Sequence, residues 1–196
     1  MSRPPEDTPG VAAIVGIAAI AFSALYFVSD LIELGQGRFS TLQLALTYAS
    51  EAAIPLFVLG LYAMQRPQIG RLGLIGALGY AYTFVFFTST VVYALIDHTR
   101  DWEALQARFG AWITIHSVMM MLAGLAFGYA VIRAHALSRW SGITLIVGMT
   151  LMAVTTSLPD VIRTASAGVR DVAFAGMGAS LLRSQHAIHP DTTDRS

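Results

Sequence analysis

The chain contains no cysteine and no lysine among its 196 residues, and only 12% of them are charged. Without cysteine there are no disulfides, thiol relays, iron–sulfur clusters or cysteine-ligated zinc sites. Without lysine no Schiff base can form, which excludes retinal- and pyridoxal-type covalent chemistry. The scarcity of charge says most, because soluble domains carry roughly 25% charged residues. A fold this poor in charge cannot cover its surface against water, so much of its outside must face lipid. Basic and acidic residues balance at 12 each, which leaves no basic footprint for nucleic acid. What the chain has in abundance is apolar residues, at 55% of the total, with a mean hydropathy of +0.62.

Those residues fall into six runs, and a helix needs about 20 residues at 1.5 Å each to cross a bilayer core. The runs lie at 11–31, 42–64, 72–96, 109–132, 140–159 and 165–182. The first has no charge before Asp30, the second is interrupted by Glu51, and the fourth holds only His116. The sixth carries Arg170 and Asp171 in its first half. The pattern predicts an all-α fold, a polytopic membrane helix bundle with six transmembrane helices in a single unit over 11–183. Polar segments at 1–10 and 184–196 flank it. The segment 1–10 has two acids and one arginine, unlike a cleavable leader, so the first run is expected to remain as a span. His186 and His189 lie in the polar tail, and no metal is assigned to them.

Arginine placement predicts orientation. The 65–71 and 133–139 connections hold Arg66, Arg71, Arg133 and Arg139 without an acid. The opposite connections mix Arg38, Arg100, Arg108 and Arg163 with Asp30, Glu33, Asp97, Asp101, Glu103 and Asp160. Both termini are therefore expected in the cytoplasm of a multi-pass cell-membrane protein. In the 97–110 connection Trp102, Leu105 and Phe109 share one helical face, which predicts a short interfacial helix. Gly60 and Arg71 precede Gly128 and Arg139 by 68 residues, and Gly73 and Gly79 match Gly142 and Gly148 after a one-residue shift. This spacing suggests a parallel repeat of helices 2–3 and 4–5. Small residues at Gly73, Gly76, Gly79, Gly124 and Gly128, and at Ala173–Ala179, are the expected packing faces. Met119, Met120 and Met121 are read as packing residues, with an adaptable ligand pocket as the alternative.

Depth along the helices singles out the polar groups. Glu51 lies roughly 12 Å into the second run at 1.5 Å per residue, and His116, Arg170 and Asp171 reach inward from the same side. Asp30, Asp97 and Asp160 mark the outer helix ends. Hydroxyls collect at this level at Ser29, Tyr48, Thr88, Ser89, Thr90, Thr155, Thr156 and Ser157. The arrangement describes a polar vestibule open to the outer side and closed below. An intramembrane carboxylate must pair, protonate or face water. Tyr48 is expected on the same face as Glu51, and Pro55 frees the carbonyl of residue 51 beside it. The competing reading makes Glu51 a structural partner of Arg170. For His116 a satisfied structural role is favoured over that of base or ligand. Haem would need a second imidazole at this depth, and a Glu51/His116/Asp160 metal set matches no local motif. No cofactor or metal is expected.

The segments Gly60-Leu-Tyr-Ala-Met-Gln-Arg-Pro67, Gly70-Arg-Leu-Gly-Leu-Ile-Gly76, Arg139-Trp-Ser-Gly142 and Arg170-Asp-Val-Ala-Phe-Ala-Gly-Met-Gly178 carry a resemblance. Together they resemble the small six-helix integral membrane proteins of actinobacteria. That family brings the expectation of a six-helix bundle but no reaction, substrate or catalytic residue. The leading expectation is a protein that binds or transports a small hydrophobic or amphipathic ligand, with Glu51, Tyr48, His116, Arg170, Asp171 and Asp30 as ligand-binding residues. The first alternative is an intramembrane isomerase or cyclase on an isoprenoid-like substrate, with Glu51 as acid and His116 or Asp160 as proton acceptor. The second is an accessory subunit of a membrane complex. Expected partners are membrane lipid and a hydrophobic small molecule, with a second copy or a membrane partner as further candidates.

Overall fold

The computed structural model describes residues 8–188, with side chains over 10–185. Among the described residues there are seven helices and no strand: α1 Thr8–Gln36, α2 Thr41–Met64, α3 Gly70–Asp97, α4 Trp102–Phe109, α5 Ala111–Ala134, α6 Arg139–Val154 and α7 Asp160–Ile188. The spans α1 (from Gly10), α2, α3 and α5 are each long and apolar enough to cross a membrane. The six long helices pack in chain order, and α1 meets α7 to close them into a ring.

Local chemistry sets the boundaries. Ser40 caps α2 by accepting from the Gln43 amide at 3.3 Å, and Asp101 caps α4 by accepting from that of Ala104 at 2.9 Å. His98 ends α3 in the left-handed region, at φ 52°. Pro55 sits inside α2 without ending it. The clearest departure from expectation is the fifth run. α6 stops at Val154, and its 16 residues span about 24 Å, less than the ~30 Å hydrocarbon core. Pro159 is the cause, because it disfavours helical geometry at Leu158. Its carbonyl then accepts from Ile162 and Arg163, which starts α7 at Asp160 rather than at 165. Asp160 thus lies in the first turn of α7, where a negative charge complements the helix dipole. At the far end α7 runs past 182 to Ile188, taking in the start of the expected tail. α1 likewise begins at Thr8, inside the expected polar segment. His189 lies outside the described residues, so the tail pair cannot be placed.

Close approach of small residues holds the ring together. A Cβ added to Gly178 of α7 would stand 2.5 Å from the Gly16 carbonyl of α1, and one added to Gly142 of α6 would stand 2.7 Å from the Gly128 carbonyl of α5. Of the three glycine pairs behind the suggested repeat, one is alike: Gly79 faces Ala123 of α5 and Gly148 faces Arg170 of α7, each meeting the next long helix. Gly60 instead faces Val15 of α1, behind it in the ring, while Gly128 faces α6, ahead of it. Gly73 meets Ile69, just before its own helix, while Gly142 meets Gly128 and Ile132 of α5, so neither of these two pairs shares an environment. The core between the helices is aromatic: Phe174 lies 5.6 Å from Phe57 and 5.4 Å from Tyr80, whose ring is 5.1 Å from Phe84. α4 forms where a short helix was expected, but Leu105 is 2% exposed, packed with Leu44, Val91, Ala94 and Ile113. Its apolar face is spent on the bundle rather than on a lipid surface.

Gly178→Val should push α1 and α7 apart and lower stability by about 1–3 kcal/mol. Gly35, also helical, has nothing within 4 Å of an added Cβ, so Gly35→Ala should stabilise by about 0.5–1 kcal/mol. Thermal unfolding in detergent checks both, and equal effects would contradict the close α1–α7 seam.

Candidate functional site

At the end of the ring made by the 37–40, 98–101 and 155–159 connections lies a cavity of about 780 Å³. Its volume falls in the range of small-molecule sites, roughly 300–1,000 Å³. One wall comes from α1 and α2. Tyr26, Asp30 and Glu33 recur at helical spacing along α1, and Gln43, Thr47 and Glu51 recur every fourth residue along α2. A second wall is softer, with Met120 and Met121 from α5 and Met149 and Met152 from α6. Arg38, Glu103 and Gln106, all exposed, stand at the rim, and α4 lies over it with Trp102 turned into the cavity.

The α1–α2 wall is a continuous polar seam. Ser29 bonds both the Gln43 carbonyl at 3.0 Å and the Thr47 hydroxyl at 2.5 Å. The Gln43 side-chain amide donates to Glu33 at 3.1 Å and to Thr47 at 3.0 Å. Both its protons are thereby used, while its oxygen, buried, accepts nothing. One turn below Thr47, Glu51 is 4% exposed. Its Oε1 accepts from the Tyr26 hydroxyl at 3.0 Å, and its Oε2 is buried without a partner.

Beneath the cavity floor lies a buried ion pair. Arg170 donates from Nε to Oδ1 of its chain neighbour Asp171 at 2.9 Å, and its Nη2 lies 2.8 Å from the same oxygen in an ion pair; Nη2 and Asp171 Oδ2 make no hydrogen bond. Its guanidinium stacks over the Tyr26 ring at 4.7 Å and faces Phe84 at 6.0 Å. Tyr26 therefore stands between Glu51 and Arg170, offering a hydroxyl to the anion and a π face to the cation. The Glu51–Arg170 ion pair of the competing reading does not form. Asp171 has taken the arginine, and the phenol fills the space between.

Other expected site residues separate in the same way. Tyr48 is 45% exposed and points out of the bundle, because Thr47 and Glu51, four residues apart, define the inner face of α2 and Tyr48 does not share it. His116 lies between α3 and α5 rather than in the cavity. Its Nδ1 is 2.8 Å from the Trp112 carbonyl, and its ring stacks on Phe86 at 3.7 Å with 9° between planes. It is a satisfied packing histidine, and it does not meet Glu51 as a proton acceptor. Asp160 lines the cavity near its mouth but is paired with Arg163. Asp30 is in the wall. Arg170 and Asp171 act below the floor and do not line it. Met120 and Met121 face inward, whereas Met119 is 38% exposed. Of the hydroxyls, Ser29, Thr90 and Thr155 are buried, and Ser89, Thr156 and Ser157 are exposed. Among the described residues no cluster of three His, Cys, Asp or Glu is placed to hold a metal ion.

Sequence reasoning missed Tyr26, Gln43, Thr47, Met149 and Met152, and counted Glu33 only as a connection charge. The signal was present as polar residues at fourfold spacing on two successive helices. No family model, curated protein or solved structure matches this chain.

Breaking the floor pair from one side should be costly. Asp171→Ala leaves Arg170 buried and unpaired, and should destabilise by about 3–5 kcal/mol, whereas Arg170→Met with Asp171→Leu should recover most of that loss. His116→Phe keeps the stack and forfeits one hydrogen bond, about 1 kcal/mol. Thermal unfolding of the three variants is the measurement, and a stable Asp171→Ala protein would show that the pair is not a structural floor.

Proposed function

We propose that the chain is a six-span cell-membrane protein that binds or transports a small amphipathic molecule through a cavity open to the outer side. The carrying observation is the two-sided cavity itself, with a seam of buried polar groups facing a wall of methionines. Such a lining suits a ligand with a polar head and an apolar body, since methionine adapts to irregular shapes. The outer surface supports the number of spans. Apolar residues face outward on α6 and α7 as they do on the four longer apolar helices, for example Trp140 at 75% and Val172 at 66% exposure. The two arginine-bearing connections without acids lie opposite the cavity mouth, and the positive-inside rule favours termini inside and the mouth outside. The binding reading is favoured over acid–base isomerisation because His116, the expected base, is packed between α3 and α5 away from Glu51.

Topology is tested with single cysteines in this cysteine-free chain. Gln36→Cys and Gln106→Cys should react with an impermeant thiol reagent on intact cells, and Gln68→Cys should not. The reverse pattern would place the mouth in the cytoplasm. For the ligand, Ala167→Phe puts a ring into the cavity lining. Protein purified natively should carry an amphiphile detectable by mass spectrometry, and Ala167→Phe should lose it while remaining folded. Equal amounts in both would contradict binding at this site.

A further inference from the structure

Two features of the cavity bear on the charge of what it holds. The first is the balance of its lining: Asp30, Glu33, Glu51, Asp101, Glu103 and Asp160 against Arg38 and Arg163. The arginines do not reach the deep acids. Arg163 is bonded to Asp160, and Arg38 is exposed at the rim. Arg170, the nearest deep cation, is held by Asp171 on the far side of the Tyr26 ring.

The second feature is independent of charge counting. Glu51 Oε2 and Gln43 Oε1 are buried acceptors without partners, on side chains 4% and 2% exposed, and both residues line the cavity. A buried acceptor left unmade costs about 1–3 kcal/mol, and more when charged. Both atoms can accept a hydrogen bond. The α1–α2 seam has already spent its own donors, since the Tyr26 hydroxyl goes to Glu51 Oε1 and the Gln43 amide goes to Glu33 and Thr47. A molecule in the cavity that carries an N–H would satisfy either of them.

Resting on the amphiphile-binding reading above, we propose that the ligand is a protonated amine on an apolar body, its N–H donating to Glu51 Oε2 and its body lying along Met120, Met121, Met149 and Met152. Asp30, one turn from Tyr26 on α1, places a second carboxyl in the same wall. The two orphan acceptors are eight residues apart on α2, about 12 Å along the axis, so one ammonium reaches only one of them. Glu51 is the deeper and the ionisable one, and it takes the head. A free lipophilic amine and an aminophospholipid headgroup share this recognising chemistry.

The test uses the full chain in phosphatidylcholine nanodiscs, with Trp112→Phe and Trp140→Phe so that Trp102 at the mouth reports binding by fluorescence. Four probes share one body: 4-phenylbutylamine, its N-trimethyl derivative, 4-phenylbutanol and 4-phenylbutanoate. The amine should bind about tenfold or more tightly than the other three, as a charge-assisted hydrogen bond implies. Glu51→Gln should reduce the amine to the affinity of the alcohol, and thermal unfolding at the temperature of the unchanged protein shows that the variant is folded. Asp30→Asn should weaken the amine alone, to a smaller extent. If the alcohol or the carboxylate binds as tightly as the amine, the cavity takes an amphiphile but not a cation, and this proposal fails while the previous one stands. If the trimethyl derivative binds as tightly, no N–H is read and the proposal fails. Displacement of the amine by sodium chloride, but not by choline chloride at equal ionic strength, would assign Glu51 to an inorganic cation and overturn it. If no probe binds, both readings fall. Where the amine binds as expected, weaker binding in discs containing phosphatidylethanolamine identifies the source as a lipid headgroup, and unchanged binding identifies a free amine.

Discussion

The Arg170–Asp171 pair under the Tyr26 ring is the constraint on which the rest of the site depends. Two full charges held out of water are tolerated only when bonded to each other and to their surroundings. Here Asp171 neutralises the guanidinium, Tyr26 and Phe84 cover it, and the backbone of Arg170 packs against Gly148 of α6. That packing fixes the height of Tyr26, and Tyr26 fixes one oxygen of Glu51. The second oxygen is left without a hydrogen-bond partner, on a side chain that lines the cavity. A direct Glu51–Arg170 pair would have closed the floor and removed the site.

The same arrangement explains why the polar groups of α1 and α2 collect at one end of the bundle. Around and below Tyr26 the ring is filled by Phe57, Tyr80, Phe84 and Phe174 in edge-to-face and tilted contacts. Above it the α1–α2 seam satisfies most of its hydroxyls and amides internally, so that end remains polar without losing its packing. Glycine contacts at the α1–α7 and α5–α6 seams draw the helices together. The cavity is the space that remains where side chains on the inner face are polar or flexible.

Much of this was legible in the sequence. Charge scarcity and run length identified an all-α membrane-type bundle, and four of the six runs match helices to within a few residues, apart from extension of α1 at both ends. The fifth run was read as ending at Pro159, but the helix stops five residues earlier, at Val154, and the next begins at Asp160, because an apolar run through Leu158 hides where the backbone leaves the helix. Glu51 and Asp30 were found by depth, a one-dimensional coordinate. For His116 the favoured structural role is the one its stacked, hydrogen-bonded ring takes. Tyr48 was misassigned by that same depth coordinate, since depth does not say which face a residue occupies. Spacing does: Gln43, Thr47 and Glu51 form one stripe, and Tyr48 falls outside it. The role of Tyr26 was beyond reach, because a phenol between two distant charges depends on how α1, α2 and α7 meet.

The central claim is an acidic cavity, reachable from one end and floored by Tyr26 and Glu51. Charge-selective thiol modification tests it most directly. Met121→Cys places a single thiol on the cavity wall, and Ala107→Cys places one on the exposed face of α4 as a reference. In nanodiscs, the ratio of the rate with a trimethylammonium-bearing methanethiosulfonate to that with its sulfonate counterpart should be several-fold higher at position 121 than at 107. A Met121→Cys protein that resists both reagents, or that favours the sulfonate, would contradict the account.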